Sequence, residues 1–200
     1  VVKLGFIVEG GTEKIIIESP RFSEWLNQQG FELINPVIDA EGGGNLLPQN
    51  IEPMVKRLNN KQAEHIIILT DLEYEVSVEV VKQRIGNDFT DLIFVAVKAI
   101  EAWFLADSQA MQSWLKQEDF YEGKPEETDG MPWNRLNEIA KSLKQRGTGP
   151  SKPAFAKKMV QYYDFDVTHA AKHGDCYSAE EFCLGIASLN KRNKAVDVEY

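Results

Sequence analysis

Four short apolar runs, "LGFIV" at 4–8, "FELINPVI" at 31–38, "HIIILT" at 65–70 and "LIFVAV" at 92–97, alternate with stretches of helical periodicity over about 12–29, 46–60 and 77–85. Runs this rich in Val and Ile, apolar almost without a break, belong to strands covered on both faces. Separated by helices, they predict a parallel sheet joined by right-handed crossovers. The order is βαβαβαβ, and the fold class that follows is α/β, doubly wound.

Past Glu101 the pattern becomes helical only, with helices expected over about 107–116, 133–146, 154–163 and 179–189. The chain therefore reads as an α/β core over 1–107 and a helical C-terminal extension over 108–200 packed on that core. Ser178 with Glu181 has the spacing of a capping box, and Gly147 is placed to stop a helix. "EDFYEGKPEETDG", ending at Gly130, is acidic and poor in aliphatics, so a mobile surface loop is expected there. The tail "NKRNKAVDVEY" reads as loosely held. No internal repeat is present.

A net charge of -9 argues against a protein coated in nucleic acid, although a local positive patch is compatible with it. Cys176 and Cys183 have no CxxC spacing, and Cys183 reads as core. The first residues do not resemble a signal peptide, and no apolar run approaches the length of a membrane span. A reduced, cytoplasmic chain with no membrane contact is the expectation.

The carboxylates carry the chemistry. In a parallel sheet the C-terminal strand ends converge on one edge, where such folds bind ligands. Glu9 follows the first run in "GFIVEGGTEK", Asp71 and Glu73 follow the third in "ILTDLE", and Glu101 follows the fourth in "AVKAIEAW". Glu13 falls in the first turn of the next helix behind Thr12, an expected N-cap, and Gly10 and Gly11 permit a sharp turn. Taken singly, each acid has an ordinary role at a helix end or on a solvated face. Together they conflict: two carboxylates about 4 Å apart repel by about 4 kcal/mol at an effective dielectric near 20. A divalent cation removes that conflict, and Mg²⁺ takes carboxylates, waters and substrate phosphates as ligands.

"VEGGTEK" followed after a βα unit by "LTDLE" resembles the signature of the Toprim superfamily, in which a glutamate after the first strand and an Asp-x-Asp after the third hold Mg²⁺. Glu13 is similar to the second glutamate of nucleases of the overcoming-lysogenisation-defect type. "AIEAWFLAD" and the short chain resemble small Toprim proteins encoded beside ABC-type ATPases in bacterial defence loci. The likeness covers about residues 1–107, with "PSKP" beyond it. It implies a Toprim-like, Rossmann-like sheet and a Mg²⁺- or Mn²⁺-dependent nuclease acting on DNA or RNA, with an ABC-type ATPase partner. Glu9, Asp71 and Glu73 carry over as catalytic, and Glu9, Glu13, Asp71, Glu73 and Glu101 as metal ligands. Glu73 departs from the pattern, standing where aspartate is usual. Asp107 is a further acid near this group, with an N-cap as its simpler role.

Other motifs point less clearly. GxxxxGK[ST] is not met, because Gly11 stands where a P-loop needs lysine. "DAEGGGN" at 39–45 reads as a flexible loop or as backbone that contacts phosphate. His65, His169 and His173 form no HExxH pattern. Lys141, Lys144, Arg146, Lys152, Lys157 and Lys158 share an 18-residue window without Asp or Glu. Lys152, Lys157 and Lys158 are the candidates to bind nucleic acid, with a solvated helix face as the alternative. Trp133, Phe155, Tyr162 and Tyr163 are either core or base-stacking residues. The alternative to a nuclease is a noncatalytic Toprim-fold subunit that binds or regulates an ATPase.

Overall fold

A computed structural model describes residues 1–86 and 88–196, and within them one sheet of five parallel strands. The strands are β1 (Val2–Val8), β2 (Phe31–Leu33), β3 (Ile38–Asp39), β4 (His65–Asp71) and β5 (Leu92–Ala96). β2 and β3 both pair with one side of β1, β4 pairs with the other side, and β5 lies beyond β4. The predicted strand over 31–38 is thus two short strands. Pro36, which has no N–H for the ladder, sits at the break.

Both faces are covered, as the continuous apolar runs require. Leu4, Phe6 and Val8 of β1, Ile67 and Leu69 of β4 and Phe94 of β5 enter one apolar cluster, while Ile7, Ile66, Ile68 and Val95 enter another. The second cluster packs under α3 (Pro48–Asn59) and α4 (Val78–Ile85). Gly5 belongs to this close packing, since a Cβ there would lie 2.9 Å from Leu58 Cδ1.

The first cluster is larger and runs through both halves of the chain. α1 (Gly11–Ile17), α2 (Pro20–Gln28), α5 (Glu101–Ala106), α6 (Ser108–Leu115), α7 (Pro132–Ser142), α8 (Lys152–Tyr162), α9 (Val167–Ala170) and α10 (Tyr177–Val196) all contribute to it. Phe182 of α10 stands among Phe6, Phe22, Phe94 and Trp103, with ring centroids 5.1–6.4 Å away. α10 lies so close to β5 that a Cβ on Gly185 would come 2.6 Å from Phe94 Cζ. The helical half therefore supplies part of the layer that buries the sheet.

Several local expectations are corrected. The helix expected over 12–29 is two, α1 and α2, because Ser19 caps Phe22 N–H at 3.2 Å and Pro20 opens a new helix. α5 is an additional helix, buried along its whole length. Helix α7 ends before the left-handed Lys144 (φ 54°), not at Gly147. Ser178 lies inside α10, which begins at Tyr177, so no Ser178–Glu181 capping box forms. The acidic segment before Gly130 is anchored: Pro125, Glu126 and Thr128 are buried, and Lys98 Nζ holds the Thr128 and Gly130 carbonyls. Of the tail expected to be loose, residues 197–200 lie outside the described residues, while 190–196 continue α10. No helix among the described residues is long and apolar enough to cross a membrane.

Candidate carboxylate site

The chain leaves β1 toward β3 on one side and comes back to β4 on the other, so a crevice opens between the C-terminal ends of β1 and β4. Glu9 bridges it. Glu9 N–H donates to the Leu69 carbonyl at 3.0 Å, and Glu9 Oε2 accepts from Asp71 N–H at 3.0 Å and from the Thr70 hydroxyl. The glycine turn after β3 passes directly over this acid: a Cβ on Gly43 would lie 3.1 Å from Glu9 Oε1. Gly43 is thus fitted closely against a carboxylate.

Glu13 reaches the site from the third position of α1. Gly10, not Thr12, is the N-cap, and Glu13 Oε2 turns back to accept Gly10 N–H at 3.0 Å. Asp71 closes β4, and its Oδ1 accepts Ile100 N–H at 2.8 Å from the turn entering α5. Glu101 is the first residue of α5 and only 1% exposed. Its Oε2 accepts from Lys152 Nζ at 3.0 Å, while its Oε1 is buried with no hydrogen-bond partner among the described residues.

Electrostatics separates this cluster from the rest of the surface. Burial raises the Glu13 carboxyl to about 8, with repulsion from Glu9 and Glu101 adding to it. Burial likewise holds Asp71 well above the usual carboxylate range, reinforced by Glu13, Glu101 and Glu9. Glu101 is raised by burial despite the opposing pull of Lys152. Burial draws the Lys152 ammonium down, but Glu101, Asp71 and Glu13 outweigh it and the net shift is upward. One ammonium therefore faces three raised carboxylates.

Glu73 stands beside this cluster. It is exposed at a left-handed φ of 50°, a conformation costing a non-glycine residue roughly 1–2 kcal/mol, and its N–H donates to the Lys98 carbonyl at 2.6 Å. It lines one open cavity of about 310 Å³ with Glu9, Asp71 and the exposed Tyr74. Asp107, by contrast, is structural. It caps α6 at Ala110 N–H (3.1 Å) and accepts Asp166 N–H (2.9 Å).

The three candidate lysines are divided. Lys152 enters the acid cluster, Lys157 lines a groove with Arg21 and Asp164, and Lys158 lines a cleft with Trp114 and Arg146. The position of Lys152 had one sequence signal: a cation at the start of a helix opposes the macrodipole and needs nearby negative charge. Asp39, the last residue of β3, also reaches this edge, with Oδ2 lying 3.9 Å from the Cβ position of Gly11. The histidines lie away from the acids: His65 bonds Asp91, His173 bonds the Glu122 carbonyl, and His169 Nδ1 stands 3.5 Å from Asp107 Oδ1 without a hydrogen bond among the described residues.

The donor set suits a hard divalent cation, since it consists of carboxylate oxygens, one of them buried without a donor. As the side chains stand, no three His, Cys, Asp or Glu groups among the described residues converge as a metal-holding cluster. Glu9 is turned to Thr70 and Asp71, and Glu101 to Lys152. The chain belongs to the family described as a domain of unknown function, DUF4276, whose model matches residues 8–175. No curated protein and no solved structure matches it.

Proposed function

We propose that this DUF4276 protein is a Toprim-like, Mg²⁺- or Mn²⁺-dependent phosphodiesterase that cleaves DNA or RNA, working in bacterial defence with an ABC-type ATPase partner. The observation that carries the reading is the buried, unpartnered Glu101 Oε1 within a group of four carboxylates from β1, α1, β4 and α5. A fold rarely retains an unpaired buried carboxylate oxygen, because leaving it unsatisfied costs about 1–3 kcal/mol or more.

Glu9, Glu13, Asp71 and Glu101 would hold the cation, with Glu73 at the mouth as a further ligand. When bound, the metal neutralises the carboxylates and polarises a phosphoryl oxygen and an attacking water. The protein's own part is to preorganise the acids. Backbone N–H groups hold Glu9, Glu13 and Asp71 on rigid strand and helix ends, and receiving a cation requires their carboxylates, with that of Glu101, to turn from their present partners toward a common point. Lys152 holds charge on Glu101 and stands at the rim, where its ammonium can transfer its contact to a phosphate oxygen.

The Lys152–Glu101 ion pair also favours a second reading, a noncatalytic subunit of an ATPase complex whose acids are already partly neutralised. Thermal unfolding with and without metal tests the site, and cleavage separates the two readings. At about 100 times its dissociation constant, Mg²⁺ or Mn²⁺ should add about 2.7 kcal/mol to the parent and much less to Glu9→Gln. Cleavage of labelled DNA and RNA should fall by at least about 100-fold in Glu9→Gln, comparing metal-loaded proteins. Metal stabilisation without cleavage, with or without the ATPase, favours the noncatalytic subunit; absence of both overturns the metal site.

A further inference from the structure

The charge of this chain is distributed unevenly in three dimensions. Between the end of α6, the loop after α7 and the last turns of α8 lies a cleft of about 320 Å³ whose lining contains three cations and no carboxylate. Lys116, Arg146 and Lys158 supply the charge, and among the described residues none has a carboxylate within 4.0 Å. Lys116 has a local reason to be there, as the left-handed C-cap of α6. Arg146, in a loop, and Lys158, in the middle of α8, have none. Three cations gathered in one lining without an acid give the cleft a local positive field in a chain of net charge -9, which suits an anionic ligand.

The remaining wall is aromatic. Trp114 packs edge-on to Phe155 at 4.9 Å, while Tyr163 is half-buried and Tyr162 is 72% exposed. An exposed tyrosine beside unpaired cations matches the chemistry of a single-strand platform, in which a base stacks on a ring while cations hold the flanking phosphates. A hollow this size admits one base and excludes a duplex, whose bases present only their edges. α8 links the cleft to the acids: it starts at Lys152, and ten residues later, about 15 Å along its axis, it reaches Tyr162.

We propose that this cleft binds an unpaired nucleotide of a nucleic-acid strand, stacking the base on Tyr162 and holding its phosphates with Lys116, Arg146 and Lys158. The cleft's chemistry stands on its own; that the strand is the substrate of the acidic site rests on the phosphodiesterase reading.

The test uses the full chain carrying Glu9→Gln, in EDTA, so that binding is read without cleavage. Fluorescent single-stranded DNA and RNA tens of nucleotides long, a blunt duplex and a nucleoside monophosphate competitor are titrated at several salt concentrations. The strand should bind more tightly than the duplex. Replacing Lys116, Arg146 and Lys158 by alanine should lower the salt slope by about 2 units, near 0.7 per lost contact on a single strand. Tyr162→Ala should weaken strand binding about tenfold with the salt slope unchanged. Circular dichroism establishes that both variants fold, which the surface position of these side chains favours. An unchanged slope in the triple variant, a duplex bound as tightly as the strand, or displacement by the monophosphate at equal affinity each overturns the proposal. Strand binding that depends on these residues while the parent cleaves nothing with metal supports the cleft and rejects the phosphodiesterase.

Discussion

Two buried glutamates in this molecule do opposite things. Glu126 lies in a segment whose composition suggests exposure, yet its carboxylate is saturated: it accepts Tyr177 N–H at 3.1 Å, Ser178 N–H at 2.9 Å and the Ser178 hydroxyl. Ser178 Oγ in turn accepts Trp103 Nε1–H at 2.8 Å, so one acid ties the loop, the start of α10 and α5 together. Glu101, also buried, has one oxygen on Lys152 and the other without a hydrogen-bond partner among the described residues. Glu13, Asp71 and Glu73 crowd it, whereas Glu126 faces the N-terminus of a long helix, which favours its charge. Saturation marks an acid retained for the fold. An unsatisfied and crowded one adds nothing to the fold's stability and is the acid on which the proposed metal site rests.

The largest effect that would break this comparison is on Glu126. Glu126→Ala removes the acceptor of two backbone N–H groups, the Ser178 hydroxyl and the Cys176 thiol at once, and at about 1.5–3 kcal/mol per charged hydrogen bond, shared among coupled bonds, it should cost about 3 kcal/mol. For a chain of this size that lowers Tm by roughly 6–12 °C. Divalent metal should restore none of it. A variant that unfolds within 1–2 °C of the parent would show the loop to be held by other contacts.

Next in size is the pH response of the metal-free protein. Glu13, Asp71 and Glu101 have carboxyls raised above their unfolded values, so the native state binds the extra protons. Their contribution is fully present below about pH 4.5 and is lost as pH rises through the folded value, which for Glu13 is about 8. Tm in EDTA should therefore fall between pH 5 and pH 8, by about 2–4 °C for each kcal/mol lost. Mg²⁺ should raise it most at the alkaline end, where no proton competes for the oxygens. Glu13→Gln should flatten the profile. A metal-free Tm that climbs over this interval contradicts the crowding.

The parts of this arrangement visible in the sequence are those governed by local rules. Continuous Val/Ile runs mark strands covered on both faces, and an acid just past such a run must lie at the C-terminal edge; Glu9, Asp71 and Glu101 were legible for that reason. The same rule extends to Asp39 in "PVIDA". What stayed hidden depends on tertiary contact. "EAWFLA" is buried on every side and has no amphipathic period, so helix α5 escapes a test based on periodicity. Glu126 looks solvated because its donors come from a helix about 50 residues away. Spacing in the chain groups Lys152 with Lys157 and Lys158, and packing of α8 over α1 divides them: Pro153 Cγ lies 3.3 Å from the Cβ position of Gly11.

Glu101→Gln sharpens the contrast at a smaller scale. An amide of the same shape keeps an acceptor for Lys152, puts a donor in place of the unpaired oxygen and removes one charge from the crowd. Metal-free stability should rise by about 1 kcal/mol, measured by urea unfolding at unchanged m-value. Metal stabilisation should shrink in the same protein. The equivalent change at Glu126 should destabilise, because it puts an amide N–H₂ opposite backbone donors; a stabilised Glu126→Gln would erase the distinction between the two acids.

The smallest expected effect is at Glu73, and it decides how far the crowded group extends. Glu73 shares the mouth with Glu9 and Asp71 but is exposed, and its repulsion raises the Glu101 carboxyl far less than burial does. Its side chain therefore carries little of the electrostatic cost described above, and Glu73→Gln should leave metal-free Tm and urea midpoint within about 0.5 kcal/mol of the parent. The metal-loaded protein is the informative comparison. If Glu73 supplies a ligand from the rim, Glu73→Gln should weaken the metal dependence of Tm while Glu73→Asp preserves most of it, the shorter acid keeping the charge at a turn already held by the Lys98 carbonyl. A Glu73→Gln variant with the parent's metal titration would confine the ligands to the buried carboxylates, and the rim acid would be a solvated turn residue after β4.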